Sequence, residues 1–334
     1  MTTLTLGRAL NEGLRRTLAD DPRVLVMGED VGALGGVYRV TDGLQAEFGA
    51  DRVIDTPLAE SAIVGTAIGL AMRGYRPVCE IQFDGFVFPA FDQIVSQLAR
   101  MRSRTRGKVA LPVTIRIPVG GGIGAAEHHS ESPEAYFAHT PGLRVVTVAN
   151  PQDAYTCLRQ SIASDDPVIF FEPKRRYHAK GEVDLEAPLS AAPPLDGARV
   201  LTMGDDVTLV TFGALVPTAL DVAAVAADEG TGVEVIDLRS LSPLDVDTVA
   251  ASVRRTGRVV IAHEAPRSGG LGAELAASIT EACFAYLETA PVRVTGHDIP
   301  YPPARAEQHH LPDLDRILDG VDRALGRTPV EAAP

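Results

Sequence analysis

The stretch Val24-Leu25-Val26-Met27-Gly28 decides the fold of the N-terminal half of this chain. Four apolar residues closed by a glycine are typical of a short strand that is buried on both faces of a parallel sheet. A helix is predicted before this strand, because Leu6, Leu10, Leu14 and Leu18 recur at helical spacing within residues 4–18. Strand and helix signals go on alternating after it. This alternation predicts an α/β fold with a mostly parallel sheet.

Two α/β domains are expected from a chain of 334 residues. Pro188, Pro193 and Pro194 interrupt the pattern within residues 181–198, as is typical of a linker. We predict a first domain at 1–185, a linker at 186–199, a second domain at 200–326 and a loose tail at 327–334. Further strands are predicted at 78–81, 113–117, 143–148 and 168–171, then at 207–212, 233–238, 258–263 and 292–294. Further helices are predicted at 61–72, 89–102 and 154–164, then at 216–227, 244–256 and 271–287.

The composition argues against several classes of protein. A net charge of −13 is unlike that of a nucleic-acid-binding protein. No apolar stretch is long enough for a membrane span, and the N-terminus lacks the apolar region of a signal peptide, so a cytoplasmic location is expected. Cys79, Cys157 and Cys283 are far apart and odd in number, which indicates neither a disulfide framework nor a thiolate zinc site.

One basic run stands out in this acidic chain. It consists of Arg100, Arg102, Arg104, Arg106 and Lys108. A solvated helix end is a sufficient explanation of such a run. The alternative is a contact with an acidic surface of a partner protein.

The segment Asp55-Thr56-Pro57-Leu58-Ala59-Glu60 precedes a helix that is rich in small residues. Thr56 suits the N-cap of that helix, and Pro57 suits its first position. Glu60 would then lie in the first turn, where the helix dipole favours a carboxylate. This structural interpretation is sufficient for Glu60 when the segment is taken alone. The alternative is that the carboxylate takes part in chemistry.

Two loops offer groups for binding or catalysis. The loop Gly120-Gly121-Gly122-Ile123-Gly124 can turn its amides towards an anion, although it lacks the phosphate-loop and dinucleotide fingerprints, and a flexible active-site loop is the alternative. In His128-His129-Ser130-Glu131 the two adjacent histidines cannot face the same way on a strand, which argues against a two-histidine metal site. One histidine could carry protons near neutral pH. Alternatively, the segment is a polar loop before a helix that starts at Ser132.

The phenylalanines are concentrated in one short segment of the sequence. Four of the ten phenylalanines lie within residues 80–91, where they could belong to the core or form the wall of a pocket for a flat ring.

The chain contains only two asparagines, Asn11 and Asn150, and no Gly-Asp-Gly. It therefore cannot supply the G-D-G…N-N element that holds magnesium and diphosphate in thiamine enzymes.

Together these segments resemble the β subunit of the decarboxylating component of α-keto acid dehydrogenase complexes, within the transketolase-like superfamily. The resemblance covers nearly the whole chain and rests on the shared order and spacing of modest motifs. The motifs are Gly28-Glu29-Asp30-Val31, Asp55-Thr56-Pro57-Leu58-Ala59-Glu60, Glu80-Ile81-Gln82-Phe83, Phe88-Pro89-Ala90-Phe91-Asp92-Gln93-Ile94, His129-Ser130, Ser132-Pro133-Glu134, Phe170-Phe171-Glu172-Pro173-Lys174 and His263-Glu264-Ala265-Pro266. The last two motifs, at residues 170–174 and 263–266, look more like the branched-chain enzyme than the pyruvate enzyme.

The resemblance implies a split active site for thiamine diphosphate. The first domain would bind the aminopyrimidine ring, the second would be a transketolase C-terminal-like domain, and an α subunit would hold magnesium and the diphosphate. Glu60 would share a proton with a nitrogen of that ring, which a buried carboxylate can do. His129 would serve proton transfer or transition-state contacts for the keto acid and the incoming lipoyl group. The further cofactor contacts implied are Leu58, Gln82, Phe86 and Glu29.

The resemblance also implies partners and a second ion. The partners are the α subunit, in a heterotetramer of two α and two β chains, and a lipoyl-bearing dihydrolipoyl acyltransferase. A monovalent cation, with potassium as the candidate, would lie at the turn that contains Ser161, Ser164 and Asp166.

The predicted activity is that of a branched-chain α-keto acid dehydrogenase β subunit, which requires an α subunit. Two departures leave the substrate open. Glu131 stands where the family often has glutamine, and Phe86 stands where branched-chain members often have tyrosine. The alternatives are a pyruvate or acetoin dehydrogenase β subunit and, from another class, a non-catalytic structural subunit. The missing diphosphate element argues against a self-sufficient thiamine enzyme.

Overall fold

The structure, a computed structural model, describes residues 1–327, which divide into two compact units. The first unit comprises Met1–Gly120 and His128–Leu195. The second comprises Gly121–Glu127 and the chain from Asp196 onwards. The division after Leu195 falls within the predicted linker at 186–199. The predicted tail at 327–334 lies, apart from Arg327, outside the described residues. No helix within residues 1–327 is long and apolar enough to cross a membrane.

The first unit alternates strands and helices as predicted. Its strands are β1 (Thr2–Thr5), β2 (Val24–Gly28), β3 (Val53–Asp55), β4 (Arg76–Glu80), β5 (Thr114–Val119), β6 (Arg144–Thr147), β7 (Val168–Pro173) and β8 (Lys180–Val183). Its α-helices are α1 (Leu6–Asp20), α2 (Leu44–Phe48), α3 (Glu60–Met72), α4 (Met101–Arg104), α5 (Glu134–Ala138) and α6 (Pro151–Ala163). Short 3₁₀ helices span Asp84–Ala90, Lys174–Arg176 and Leu189–Ala191, and a π-helix spans Gln93–Leu98.

A parallel sheet forms the centre of the first unit, which confirms the fold class. The strands run in the order β6-β7-β5-β4-β2-β3, and each neighbouring pair is parallel. Gly28 at the end of β2 pairs with Asp55 of β3 and Glu80 of β4. The carboxyl ends of these three strands are therefore level with each other at one edge, the place where open α/β sheets bind ligands.

The predicted helix at 4–18 forms, but it begins two residues later. Thr2–Thr5 instead pairs as β1 with β8 in an antiparallel ribbon, and the Thr5 side chain then caps α1 by accepting a hydrogen bond from the Arg8 amide (3.2 Å). Leu6, Leu10 and Leu14 are fully buried. Burying each such side chain contributes roughly 1.5–3 kcal/mol.

The helix predicted at 89–102 is broken into three pieces. A 3₁₀ helix ends at Ala90, a π-helix spans Gln93–Leu98, and α4 begins at Met101. Pro89 lies inside the 3₁₀ segment and has no amide hydrogen to donate. The prediction of one continuous helix from residue 89 to residue 102 was therefore wrong.

The second unit is a smaller α/β layer. Its strands are β9 (Arg199–Val200), β10 (Val207–Thr211), β11 (Val233–Asp237), β12 (Ser240–Ser242), β13 (Val259–Pro266) and β14 (Val292–Gly296). Its α-helices are α7 (Val216–Asp228), α8 (Val246–Thr256), α9 (Leu271–Cys283), α10 (Glu307–His310) and α11 (Leu314–Ala324). The sheet order is β14-β13-β10-β11-β9, with only the β11–β9 pair antiparallel. Residues 299–303 are irregular, as their prolines predict.

His263 on β13 is buried against the start of α9. Gly270 and Gly272 make room for the ring, because a Cβ on either glycine would lie within 2.7 Å of an imidazole atom. Burial lowers the pKa of His263 to about 4, and the positive charge of Arg293 adds to this effect. The folded chain therefore binds a proton at His263 less tightly than the unfolded chain does.

We expect His263 to weaken the folded state as the pH falls. The stability that neutral, buried His263 contributes is fully present above the pKa of histidine in the unfolded chain, about 6.5. It is lost as the pH falls from there to about 4. The difference between these pKa values corresponds to about 3 kcal/mol. Urea unfolding of the wild type and of His263→Phe at pH 7 and pH 4.5 measures this loss. A pH dependence that is the same in both proteins would contradict the assignment to His263.

Candidate active site

Predicted site residues from three segments lie at the carboxyl edge of the first unit's sheet. Glu29 directly follows β2, Glu60 begins α3 a few residues after β3, and Gln82 follows β4. The Gln82 side-chain amide donates to a carboxylate oxygen of Asp30 (3.2 Å) and to the Glu29 carbonyl oxygen (3.4 Å). The segments after β2 and β4 are thus tied together at this edge.

Glu60 and Glu29 form a pair of buried carboxylates. Each side chain belongs to a residue that is only 8% exposed. Burial raises the pKa of Glu29, and the charges of Glu60 and Asp30 raise it further. The Oε1 atom of Glu29 is buried and has no hydrogen-bonding partner. A buried carboxylate oxygen without a donor is costly. It therefore indicates a place for a ligand that carries N–H groups.

The segment before Glu60 is extended, so the prediction of Thr56 as N-cap was wrong. The Thr56 amide donates to the Gly28 carbonyl oxygen (2.9 Å), which prolongs the pairing of β3 with β2. The helix starts only at Glu60, with Ala59 as N-cap and no side-chain capping bond. Leu58 is left 80% exposed. A large apolar side chain beside two buried carboxylates is available for a ligand or a partner chain.

Aromatic rings surround His129, the histidine that was predicted to carry protons. The ring centroid of His129 lies 4.3 Å from that of Phe83 and 5.1 Å from that of Phe86, both edge to face. Tyr38 packs edge to face on Phe83 from another segment (5.7 Å). The phenylalanine cluster thus contributes Phe83 and Phe86 to the surroundings of His129. A histidine among aromatic rings is shielded from water on those sides.

The sequence reasoning missed Asp84 and Lys174. The Lys174 ammonium donates to the Asp84 carboxylate, and neither side chain has exposed surface. Lys174 also lies over the ring of Phe83, 5.8 Å from its centroid. Lys174 ends one of the motifs that carry the resemblance, and Asp84 directly follows another, Glu80-Ile81-Gln82-Phe83. A lysine directly after the buried strand β7 was the signal that could have revealed the pair.

The glycine loop does bind anionic groups, but these are side chains of the second unit. The Gly121 amide donates to Glu264 (3.2 Å), and the Gly122 and Gly124 amides donate to Glu307 (3.2 and 3.0 Å). The Tyr301 hydroxyl also accepts from Gly122 (3.2 Å). The loop was predicted to turn its amides towards an anion. In the structure these amides bind two carboxylates of the same chain.

At the predicted cation turn, a guanidinium already contacts backbone carbonyls. Arg76 donates from one nitrogen to the carbonyl oxygens of Ile162 (3.1 Å) and Ser164 (3.0 Å). The Ser161 hydroxyl donates to the Cys157 carbonyl oxygen (2.7 Å) inside α6. Within residues 1–327, no group of three or more His, Cys, Asp or Glu side chains could hold a metal ion. The monovalent cation at Ser161, Ser164 and Asp166 stays a prediction.

Three residues of the basic run, Arg100, Arg102 and Arg104, line an open cavity of about 910 Å³ together with Arg144. Its arginines already have partners nearby. Asp166 pairs with Arg102 and lies 3.7 Å from Arg144, and Arg104 donates to Gln97 (2.8 Å). These local contacts fit the interpretation as a solvated surface. A contact with an acidic partner remains the alternative.

Two family descriptions match the chain. Residues 2–180 match "Transketolase, pyrimidine binding domain", and residues 196–317 match "Transketolase, C-terminal domain". The chain is also similar at 23% identity to the solved structure "Split gene transketolase, inactive beta4 tetramer", with a TM-score of 0.78 over 97% of this chain and 98% of that one. That structural likeness supports the fold.

Two relatives are similar along almost the whole length. "Pyruvate dehydrogenase E1 component subunit beta" of Leifsonia xyli subsp. xyli is 60% identical over 97% of this chain and 95% of its own. "3-methyl-2-oxobutanoate dehydrogenase subunit beta" of Mycobacterium tuberculosis (strain ATCC 25618 / H37Rv) is 58% identical over 97% of this chain and 92% of its own. These two names differ in the keto acid and agree in the type of subunit.

Proposed function

The chain belongs to the family of E1-component β subunits of 2-oxoacid dehydrogenases, and from this premise we propose that it is the β subunit of a branched-chain 2-oxoacid dehydrogenase. With an α subunit it decarboxylates a branched-chain α-keto acid and passes the acyl group to a lipoyl group. The observation that carries an active-site role is the buried pair Glu60 and Glu29, with an unpartnered oxygen on Glu29. A purely structural subunit would gain nothing from such a pair.

The residues present fit the pyrimidine half of thiamine diphosphate, on which this family depends. The orphaned Glu29 oxygen and the buried Glu60 suit a ring that carries nitrogen donors. Exposed Leu58 and half-buried Phe86 offer apolar surface, and Gln82 offers an amide. When bound, the cofactor supplies the nucleophilic carbon and accepts the electron pair that is released with carbon dioxide.

The protein side chains bind, shield and move protons. Glu60 holds a proton at a carboxylate oxygen and shares it with a ring nitrogen of the cofactor. His129 exchanges a proton at its imidazole with the keto acid or the incoming lipoyl group. Phe83 and Phe86 keep water from this histidine and lower the local dielectric, which would favour loss of carbon dioxide from the bound keto acid.

The other half of the site comes from an α subunit. Both asparagines of this chain are used by its own fold: Asn11 donates to the Val40 (2.7 Å) and Asp42 (3.1 Å) carbonyl oxygens, and Asn150 caps α6. Magnesium and the diphosphate therefore need the partner chain. We propose two α and two β chains per assembly, with the second domain of each β chain docking a lipoyl-bearing acyltransferase. Potassium at the 161–166 turn and a cytoplasmic location complete the proposal.

The second candidate substrate is pyruvate, because the relative from Leifsonia carries that name at 60% identity. The difference from the 58% of the branched-chain relative does not separate the two. The motif Phe170-Phe171-Glu172-Pro173-Lys174 favours the branched-chain assignment. Lys174 in this motif is also the buried partner of Asp84.

We expect the purified chain alone to show no decarboxylase activity and to gain it on mixing with an α-type chain that contains G-D-G…N-N. Turnover is measured with 3-methyl-2-oxobutanoate and with pyruvate, with and without thiamine diphosphate and magnesium. A higher kcat/KM for 3-methyl-2-oxobutanoate supports the branched-chain assignment, and the reverse order supports pyruvate. Robust thiamine-dependent turnover by the single chain would contradict the proposed division of the active site between the α and β chains.

A further inference from the structure

The loop that carries His129 is attached to the end of β4 on both sides of the histidine. Before His129, the His128 carbonyl oxygen accepts a hydrogen bond from the Gly85 amide (3.2 Å). After it, the Glu131 amide donates to the Asp84 carboxylate. One short segment, Asp84–Gly85, therefore binds the backbone on either side of His129.

Residue 85 must be glycine for this contact. A Cβ there would lie 2.5 Å from the His128 carbonyl oxygen and 2.6 Å from the His128 Cβ. Real Cβ atoms do not approach backbone oxygens so closely, so any side chain at position 85 would push the loop away. The loop is thus seated directly on the backbone of the segment that follows β4.

The Asp84 carboxylate is the centre of these contacts. Its Oδ1 atom accepts from the Gly85 amide (2.8 Å), and its Oδ2 atom accepts from the Lys174 ammonium. Burial raises the pKa of Asp84 to about 6, while Lys174 and the two amides act in the opposite direction. Since both charges are fully buried, the lysine supplies the positive charge without which a carboxylate could not stay ionised there.

From these contacts we propose that Asp84 and Lys174 are positioning residues for His129. Lys174 fixes the Asp84 carboxylate, Asp84 fixes Glu131 and Gly85, and these hold the His129 ring between Phe83 and Phe86. The catalytic meaning of this arrangement rests on the proposed function of His129. The positioning itself is a property of the isolated chain.

Two double variants separate positioning from simple stabilisation. Asp84→Asn/Lys174→Gln removes both charges but keeps an acceptor for the Glu131 and Gly85 amides. Asp84→Leu/Lys174→Met also removes both charges, has side chains of similar size and offers no acceptor. Neither variant leaves a single buried charge without its partner. A difference between them therefore reports on the hydrogen bonds to the loop.

The first readout is the imidazole signal of His129 in the isolated chain, measured by NMR with labelled histidine and assigned with His129→Gln. The chemical shifts of His129 should stay close to wild type in Asp84→Asn/Lys174→Gln. In Asp84→Leu/Lys174→Met they should move away from wild type as the ring loses its contacts with Phe83 and Phe86. Wild-type signals in a folded Asp84→Leu/Lys174→Met protein would overturn the proposal.

The second readout is turnover with the α-type partner. A displacement of about 1 Å in a catalytic group can cost about 10²-fold in rate. We expect a fall in kcat of that size for Asp84→Leu/Lys174→Met and less than about threefold for Asp84→Asn/Lys174→Gln. Equal losses in both variants would also overturn the proposal. If wild type itself shows no turnover, the proposed function fails, while the NMR comparison still decides the positioning.

Gly85→Ala tests the same proposal if Asp84→Leu/Lys174→Met does not fold. This change leaves both charges in place and displaces the loop through its new Cβ. The same shift of the His129 signal is expected, with a melting temperature that shows a folded chain. A His129 signal identical to wild type in Gly85→Ala would contradict the seating of the loop on Gly85.

Discussion

Glu60→Gln is expected to lower the turnover of the reconstituted enzyme by about 10²–10⁴-fold, or roughly 3–5 kcal/mol of barrier, while the assembly stays folded. Glutamine keeps the size of the carboxylate and can still form hydrogen bonds in this buried position. It cannot hold the shared proton, so the proton exchange with the cofactor ring should fail. Neutralising Glu60 also removes a charge that raises the pKa of Glu29.

The structural interpretation of Glu60 leads to a different outcome. If the carboxylate served only the dipole of α3, its neutralisation should cost about 0.3–1 kcal/mol of stability and leave turnover nearly unchanged. Melting temperature, cofactor affinity and turnover are therefore measured on one preparation of the variant with its α partner. A near-normal rate with a small drop in melting temperature would remove Glu60 from the mechanism.

Glu274→Gln is the matched control for this experiment. Glu274 lies in the first turn of α9, is exposed, and is outside the proposed site. Its neutralisation also removes a carboxylate charge from the first turn of a helix. We expect a small change in stability and unchanged turnover. A large loss of turnover in this control would show that the assay reports on folding or assembly rather than on chemistry.

Arg116→Met is expected to destabilise the first domain by about 3–5 kcal/mol. Arg116 on β5 is 1% exposed and binds carboxylates on both neighbouring strands, Glu80 of β4 (2.6 Å) and Glu172 of β7 (2.7 and 2.9 Å). Although burial opposes the charged form, Glu172 and Glu80 raise the pKa of Arg116. Without the guanidinium, two acids would remain buried in the centre of the sheet with no positive charge between them.

Urea unfolding of the isolated chain measures this effect. Globular domains are stable by only about 5–15 kcal/mol, so the expected loss is a large fraction of the total. The triple variant Glu80→Gln/Arg116→Met/Glu172→Gln is the control. It has no unpaired charge and should recover part of the stability. A loss below about 1 kcal/mol for Arg116→Met alone would show that the network contributes little.

Local patterns were enough for much of the fold. The apolar run at residues 24–28 and the leucines of α1 gave a parallel α/β sheet and its first helix, because both signals depend only on neighbours in the chain. The prediction failed at Thr56, where pairing with the adjacent strand prolongs the extended chain after β3. Thr56 looks like an N-cap, yet its amide pairs with Gly28 of the adjacent strand, and the helix begins later.

The candidate site was predictable where it lies within motifs. Glu60 and His129 belong to short segments whose order along the chain carries the family resemblance. The buried charge pairs of the first unit were not predictable, because their members are far apart in the sequence. Arg116 and Glu172 are separated by 56 positions, and Asp84 and Lys174 by 90. No periodicity shows that such residues meet until the strands are placed side by side.

The glycine loop also bears on how such proteins can recombine. Residues Gly121–Glu127 interrupt the sequence of the first unit but form hydrogen bonds with Glu264 and Glu307 of the second unit. A hybrid of two relatives joined within the 186–199 linker would take this loop from one parent and its carboxylates from the other. Exchange of whole domains between homologues is therefore constrained by seven residues far from the junction, and a viable hybrid has to carry that heptapeptide together with its C-terminal half.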